Sequence, residues 1–271
     1  MSLKKFIRIT RRQFQNNKKH MRFVYISEIS RNSDEHNIDK YIAEKVPFFY
    51  REAKRISDSF QDEFFLRAIY DSLCRLPDSS SFQESHFGEI ISGLFAEDVI
   101  GLKKIYSKLS LLTAENANAY KMDLVLYNPK SDPVELFFCE VKCSMKSSPD
   151  LNPVKHDESI YPDMFNSMNA YEKEDFDFDF AAAKDHIDKL PLDEQQKLKD
   201  AFLPYSDKKI IKFLGFAVID SSTYNSEEVS VLATRKNKKE FDIDVICLDE
   251  LPHIVQSVYS KLVTLRDQCT P

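Results

Sequence analysis

Glycine is scarce in this chain, at 4 of 271 residues. The sequence has no glycine-rich phosphate loop of the Walker or dinucleotide type, so ATP hydrolysis by this chain is not expected. It also lacks the Gly-x-Ser-x-Gly motif of serine hydrolases and the His-Glu-x-x-His motif of zinc proteases. These absences argue against several common enzyme classes.

Long apolar runs are missing too. No segment approaches the roughly 20 apolar residues that cross a bilayer, and the chain does not open on a secretory signal. The cysteines are odd in number and lack the paired spacing of zinc sites; they are Cys74, Cys139, Cys143, Cys247 and Cys269. We therefore expect reduced thiols in a cytosolic globular protein without membrane segments.

An overall basic charge is also absent, since the formal net charge is −6. A free-standing DNA-binding protein usually carries a basic surface, so either a partner supplies much of the DNA affinity or a local patch suffices. The first 22 residues are locally basic and contain no acid; the basic residues are Lys4, Lys5, Arg8, Arg11, Arg12, Lys18, Lys19 and Arg22. This segment is either a helix or extended arm that contacts phosphates or a partner, or a solvated terminus; its composition also resembles that of a transit peptide.

A β-hairpin is predicted in the middle of the chain. Met122–Asn128 and Val134–Lys142 are rich in apolar, β-branched and aromatic residues, and turn residues separate them. Side chains alternate along a strand, so Glu140 and Lys142 share one face. Asp123 begins the first strand and should lie opposite the end of the second. The sequence therefore predicts two carboxylates and one amine at one end of the sheet.

Such a group can hold a divalent cation beside a phosphate. Mg²⁺ binds a few carboxylate oxygens, keeps several waters and accepts phosphate oxygens. Asp123 and Glu140 are the predicted ligands, with the Val141 carbonyl as an additional one. Lys142 would stabilise developing negative charge and help to keep a hydroxide available at neutral pH. The alternative is a surface salt bridge at a strand end, which contributes little to stability.

A helix is predicted upstream, over Ser85–Glu97, with Ser85 as a candidate N-cap. His86, Glu89 and Gly93 share one helical face, and three of the four glycines cluster here, which predicts close packing against the sheet. Glu89 is a candidate third acid that reaches the metal directly or through water; the alternative is a solvated carboxylate. His86 is interpreted as a packing histidine.

The N-terminal part of the chain shows mainly helical periodicity. Arg22–Ser27 is predicted to be a short strand, and residues 35–74 repeat apolar side chains at helical spacing, with Pro47 starting a new turn. Pro77–Ser81 is the best linker candidate. We therefore predict a mainly helical region over residues 1–80, for partner or DNA contact, and a second domain over residues 81–271.

The C-terminal part alternates between helical and strand patterns. Residues 144–161 are predicted to be a loop, 181–203 a helical region broken near Pro191, 209–220 a buried central strand, 241–248 a further strand and 251–266 an amphipathic closing helix. The acidic, aromatic segment at 172–180 is either a helix N-terminus, where negative charge is favourable, or a regulatory plug that mimics phosphates.

The order of helix with acid, strand with acid and strand ending in Glu-x-Lys resembles the PD-(D/E)xK, or restriction-endonuclease-like, superfamily, whose core is αβββαβ. More narrowly, three segments resemble the HamA effector family of Hachiman anti-phage defence: Phe87-Gly-Glu89, Lys121-Met-Asp123-Leu-Val-Leu and Phe137-Phe-Cys-Glu140-Val-Lys142-Cys-Ser. The resemblance covers residues 80–220 well and the ends loosely. It departs at Met122, which stands where the superfamily's name places a proline.

The resemblance implies a DNA nuclease that works in the bacterial cytoplasm with a superfamily 2 helicase partner, HamB. Asp123, Glu140 and Lys142 would be its catalytic residues. We therefore expect an α/β protein with a mixed sheet flanked by helices, which cuts DNA with Mg²⁺ or Mn²⁺ while Glu89 assists. Two alternatives stay open: a non-catalytic interaction module in which Glu140 and Lys142 form a structural ion pair, and a nuclease of the same fold that cuts RNA.

Overall fold

A seven-stranded mixed sheet forms the centre of the fold. The computed structural model describes residues 1–14, 21–33, 36–51, 62–111, 122–146, 160–203, 207–225 and 238–269. The strands are β1 (Ile7–Phe14), β2 (Met21–Ile29), β5 (Lys103–Ser107), β6 (Leu124–Tyr127), β7 (Val134–Ser144), β8 (Lys209–Asp220) and β9 (Phe241–Leu248), while β3 (Asn32–Ser33) and β4 (His36–Asn37) form a separate small ladder. The sheet order is β1-β2-β9-β8-β7-β6-β5.

Parallel pairing dominates the middle of the sheet, and antiparallel pairing its two edges. Strands β2, β9, β8 and β7 run parallel, which requires crossovers and buries both sheet faces. The pairs β1–β2, β5–β6 and β6–β7 are antiparallel. The predicted hairpin is confirmed as β6 and β7, and the predicted central strand as β8.

Helices cover both faces of this sheet. They are α1 (Ile38–Lys45), α2 (Pro47–Tyr50), α3 (Asp62–Leu73), α4 (Ser80–Phe95), α5 (Ile160–Ala170), α6 (Lys173–His186), α7 (Leu192–Ala201) and α8 (Leu251–Gln268). One core joins α1 to α4 and α8 with one sheet face, and a second core joins α5 to α7 with the other. The expected α/β class, with a mixed sheet between helices, is confirmed. None of the helices within the described ranges is long and apolar enough to cross a membrane.

Several local predictions are confirmed. Pro47 begins α2, and the helical region after residue 180 breaks before α7, whose N-cap is Pro191. The acidic segment forms the start of α6, where Glu172 and Asp175 make a reciprocal capping box. The helix-terminus interpretation therefore accounts for these two acids. Most of the predicted loop at 144–161 lies outside the described residues, but its two ends are wrong, because Ser144 still belongs to β7 and Ile160 and Tyr161 already belong to α5.

The predicted start of α4 is wrong. The helix begins at Ser80, and its N-cap is Ser79, whose side chain accepts from the Phe82 N–H at 3.4 Å. Ser85 lies inside the helix, because residues 80–84 contain no glycine or proline that would interrupt the first turn. The end of the predicted linker is therefore part of α4.

The first 80 residues contribute strands as well as helices. β2 pairs with β9, and Leu3, Phe6 and Ile29 lie in the same core as α4 and α8. Within the basic N-terminal segment, residues 7–14 form β1, whereas Lys18 and Lys19 lie outside the described residues. The domain boundary near residue 80 stays a prediction.

Candidate active site

The hairpin register brings Asp123 to the strand that carries the Glu-x-Lys motif. Leu124 pairs with Cys139, and the backbone N–H of Asp123 donates to the Cys139 carbonyl oxygen at 3.0 Å. Asp123 therefore lies beside the predicted motif, at the entry to β6. This is the placement that strand alternation predicted.

The Asp123 carboxylate is held on both oxygens. Oδ2 accepts the backbone N–H of Val141 at 2.7 Å, and Oδ1 lies 3.3 Å from the Lys108 ammonium. Asp123 is 9 % exposed. A buried carboxylate needs such partners, because desolvation without compensation is costly. The side chain is thus fixed next to β7 rather than free in solvent.

Glu140 and Lys142 form an ion pair on one face of β7. Glu140 Oε1 lies 2.8 Å from Lys142 Nζ, and Ser167 of α5 lies close enough to influence the Glu140 carboxyl group. Burial, reinforced by the negative charge of Asp123, raises the pKa of Glu140 to about 7, although Lys142 and Ser167 act in the opposite direction. Lys142 remains accessible, with 29 % of its side chain exposed.

Glu89 is a buried acid of the same group. It is 4 % exposed, and one of its oxygens accepts from the Ser107 hydroxyl at 3.4 Å. Burial, followed by the charge of Asp123, raises the pKa of Glu89 well above its usual range. The interpretation of Glu89 as a solvated helix carboxylate is therefore wrong.

Close packing of α4 on β7 places Glu89 there. A Cβ atom added to Gly88 would lie 2.6 Å from the Cys143 Cβ, so no larger residue fits without a shift. The predicted close approach at this glycine is confirmed. The neighbouring residue, Glu89, is thereby held near the end of β5, where it accepts from Ser107.

His86 packs one turn before Glu89. Its Nδ1 lies 2.6 Å from the Tyr50 hydroxyl, and the side chain is buried. Burial, together with the positive charge of Lys108, lowers the pKa of His86 to about 4. The ring is therefore neutral at physiological pH, in agreement with a packing role.

The donor set suits a hard divalent cation. In the part of the chain that the structure describes, no group of three or more His, Cys, Asp or Glu side chains is arranged so that it could hold a metal ion. Mg²⁺ does not require such a group, because it is usually held by one or two carboxylates and keeps several waters. The charge of Asp123 raises the cost of ionising Glu140, which a cation between the two carboxylates would relieve. The residues present therefore fit Mg²⁺ or Mn²⁺; the role of the Val141 carbonyl stays a prediction.

A comparison with protein families shows to which family the chain belongs. A family model described as HamA matches residues 1–262. The chain belongs to the HamA family. Membership makes it a component of Hachiman anti-phage defence. A comparison with curated proteins gave no match.

The candidate site of this HamA-family chain also includes residues that the sequence motifs did not indicate. Ser107 and Lys108 stand at the end of β5, and Ser167 and Asp163 come from α5. Asp163 contributes to raising the pKa of Lys142, against the effect of burial. The sequence gives only a weak signal for Ser107 and Lys108, because the strand before them has five residues and begins with two lysines. Nothing in the sequence of α5 marks Ser167.

Proposed function

We propose that this HamA-family chain is a metal-dependent DNA nuclease that hydrolyses phosphodiester bonds, and that a partner helicase controls its access to DNA. Asp123 and Glu140 hold Mg²⁺ or Mn²⁺, Lys142 assists the nucleophile, and Glu89 supports the acidic group. The core belongs, in this proposal, to the restriction-endonuclease-like class.

One observation carries the proposal. Three acids, Glu89, Asp123 and Glu140, are buried close enough to perturb one another electrostatically, where β6 begins beside β7. Burying like charges together costs stability, so a purely structural role gives no reason for the arrangement. Perturbed titratable groups in such clusters are typical of functional sites. A lone structural Glu140–Lys142 ion pair would need neither of the other acids.

The order of elements supports the same class. From α4 onwards the chain runs through a helix, three strands, a helical segment and a fourth strand, β8, which pairs parallel to β7. This agrees with the αβββαβ order expected for a restriction-endonuclease-like core. The acids come from the helix, from the start of β6 and from β7, as that class would require.

The side chains divide the chemistry between them. A divalent ion bound here would act as a Lewis acid towards the phosphate and would lower the pKa of a bound water molecule. The Val141 N–H orients Asp123, and Ser167 lies close enough to Glu140 to favour its ionised form. Lys142 keeps its positive charge, because Glu140 and Asp123 outweigh the effect of burial and raise its pKa. Its partly exposed ammonium stabilises negative charge that develops on the phosphate.

Control by a helicase partner explains how a chain with a negative net charge can act on DNA. Proteins bind DNA largely by neutralising its phosphates with lysine and arginine side chains. A chain of net charge −6 has few such side chains that its own acids do not balance. A partner that grips and presents DNA removes the need for a basic surface on the nuclease. It also limits cutting to DNA that the partner has engaged.

Plasmid digestion tests the proposal directly. The chain, co-purified with its helicase partner, is incubated with supercoiled plasmid, linear duplex DNA or RNA, in Mg²⁺ or in EDTA. We expect Mg²⁺-dependent DNA cutting that E140Q and K142M abolish while folding and partner binding persist. The matched controls are E135Q and K212M, which remove an ion pair of the same types at the opposite end of β7; they should cut normally.

Each alternative gives a different pattern. Cutting of RNA but not DNA would assign the RNA nuclease. Absence of metal-dependent cutting by the complex, together with loss of stability in E140Q and K142M, would support the non-catalytic module instead.

A further inference from the structure

Lys108 is a second lysine at the site, outside the Glu-x-Lys motif. It follows β5 directly and opens a short 3₁₀ turn, Lys108–Leu111. Its backbone N–H donates to the Asp123 carbonyl oxygen at 2.8 Å, and its ammonium lies 3.3 Å from Asp123 Oδ1. Backbone and side chain thus attach the same residue to the same acid.

The Lys108 ammonium pairs with the Asp123 oxygen that a metal ion would need. The Val141 N–H already uses Oδ2 of Asp123, so Oδ1 is the oxygen with more freedom to bind a cation. Lys108 lies against that oxygen, with 15 % of its side chain exposed. A divalent ion on Oδ1 would meet a like charge within a few ångströms, where repulsion in a poorly solvated site is strong.

The other acids also act on Lys108. Burial by itself would lower its pKa, but Asp123, Glu89 and Glu140 together outweigh burial and raise it. Lysine is charged at neutral pH, and at 3.3 Å from Asp123 Oδ1 its ammonium partly neutralises the acidic group. Among the described residues, Lys142 pairs with Glu140, whereas Lys108 is the lysine that contacts Asp123.

We propose that Lys108 is the resident counter-ion of the acidic group, and that it competes with the divalent metal for Asp123. Lys108 is a positioning residue in this scheme. It stabilises the metal-free protein and lowers the affinity of the site for the ion, so that cutting requires displacement of its ammonium from Oδ1. The inference rests on the proposed metal-dependent function and specifies how that site is regulated.

Mn²⁺ binding to the full chain tests the inference without any activity assay. Free Mn²⁺ is measured by electron paramagnetic resonance during titration of wild type, K108M, K108R and K212M. Methionine keeps the apolar stem and removes the charge, and arginine keeps the charge. K212M removes a lysine of β8 that pairs with Glu135 near the start of β7. We expect K108M to bind Mn²⁺ at least about tenfold more tightly, because a charged neighbour within about 4–6 Å changes a carboxyl pKa by about one unit or more, and one unit is a factor of ten. K108R and K212M should bind as wild type does.

Thermal unfolding supplies the second readout. In EDTA, K108M should unfold at a lower temperature than wild type, and Mn²⁺ should raise its midpoint by more. Should K108M not fold in EDTA, the Mn²⁺ concentration that restores folding reports its affinity. A K108M affinity equal to or weaker than that of wild type overturns the inference.

The controls separate this inference from the proposed function. If D123N and E140Q abolish Mn²⁺ binding but K108M binds Mn²⁺ as wild type does, the proposed role of Lys108 is overturned and the metal site itself is not. Absence of Mn²⁺ binding that depends on Asp123 and Glu140 counts against the metal-dependent nuclease itself.

Discussion

The backbone N–H of Val141 donates to Asp123 Oδ2 at 2.7 Å, and this bond ties two parts of the candidate site together. Asp123 comes from the entry to β6, whereas Val141 stands between Glu140 and Lys142 on β7. The bond fixes the carboxylate relative to the motif, so the groups are held in place before any ligand binds. Such preorganisation is what phosphate chemistry demands, because small displacements of reacting groups cost large factors in rate.

Replacement of Asp123 by asparagine separates this positioning from charge. The amide oxygen of the introduced asparagine can still accept the Val141 N–H, so the fold should persist. The loss of a charged metal ligand should lower cutting by at least about 100-fold, since metal-ion catalysis supplies several kcal/mol. Plasmid cutting and the thermal midpoint are measured on D123N. The control is D249N, which disrupts the surface pair with Arg8; normal cutting by D123N would remove Asp123 from the site.

The packing of α4 makes a second prediction. G88A adds a Cβ atom where the Cys143 Cβ lies 2.6 Å away, so helix and strand must separate. We expect a loss of about 1–3 kcal/mol in the free energy of unfolding, the usual cost of overpacking. Cutting should also fall, because the neighbouring Glu89 moves with the helix.

Ser92 provides the control on the same helix. It is buried, and its hydroxyl has no hydrogen-bond partner among the described residues. S92A should therefore be neutral or slightly stabilising, since no bond is lost and no polar group stays buried. Urea unfolding of both variants checks the pair; equal destabilisation by G88A and S92A would mean that the contact with β7 does not matter.

Elements with a long repeated pattern could be predicted from the sequence. β7, β8, β9 and α8 each carry apolar residues over eight or more positions, so tertiary packing does not change their assignment. β5 has only five residues and begins with two lysines, which hides its alternation. β1 lies at a sheet edge, where burial imposes little pattern on its sequence.

The residues of the candidate site can likewise be divided into those that the sequence predicts and those that it does not. Strand alternation and the geometry of a hairpin together predict that Asp123, Glu140 and Lys142 gather, because the three residues belong to one hairpin. Lys108 and Ser167 come from segments placed by tertiary packing. α5, for example, lies over β8 where Met164 covers Gly215, and no local pattern indicates that contact.

Asp244 makes the stability of the protein depend on pH. It is buried in β9 between β2 and β8, opposite Tyr25 and Phe216. Burial, with a contribution from Asp242, raises the pKa of Asp244 to about 8 from 3.8. Because the folded-state pKa is raised, the folded protein holds a proton that the unfolded chain has released between these values. Stability from this residue is therefore complete below about pH 4 and is lost as the pH rises towards about 8.

D244N should remove this dependence. The stability of D244N relative to wild type should increase by roughly 2–4 kcal/mol between about pH 5 and pH 8, at up to about 1.4 kcal/mol per pH unit. Urea unfolding of both proteins at the two pH values gives the difference, in which the titrations of other groups cancel. Identical pH slopes for the two proteins would show that Asp244 ionises normally in the fold.

Glu250 makes the last prediction, because its backbone is in the left-handed region at φ 60° and ψ 40°. A non-glycine residue costs about 1 kcal/mol or more in this conformation. The Glu250 side chain pairs with Arg31 at 2.9 Å but is 63 % exposed, so this bond compensates for only part of that cost. E250A loses the ion pair and keeps the strain, whereas E250G loses the pair and removes the strain. E250G should therefore be more stable than E250A by about 1 kcal/mol in urea unfolding. At Lys199, inside α7, the order should reverse, with K199A more stable than K199G by a similar amount, since glycine is unfavourable in a helix. The same order at both positions would mean that the left-handed conformation of residue 250 contributes nothing to the stability of the α8 N-terminus.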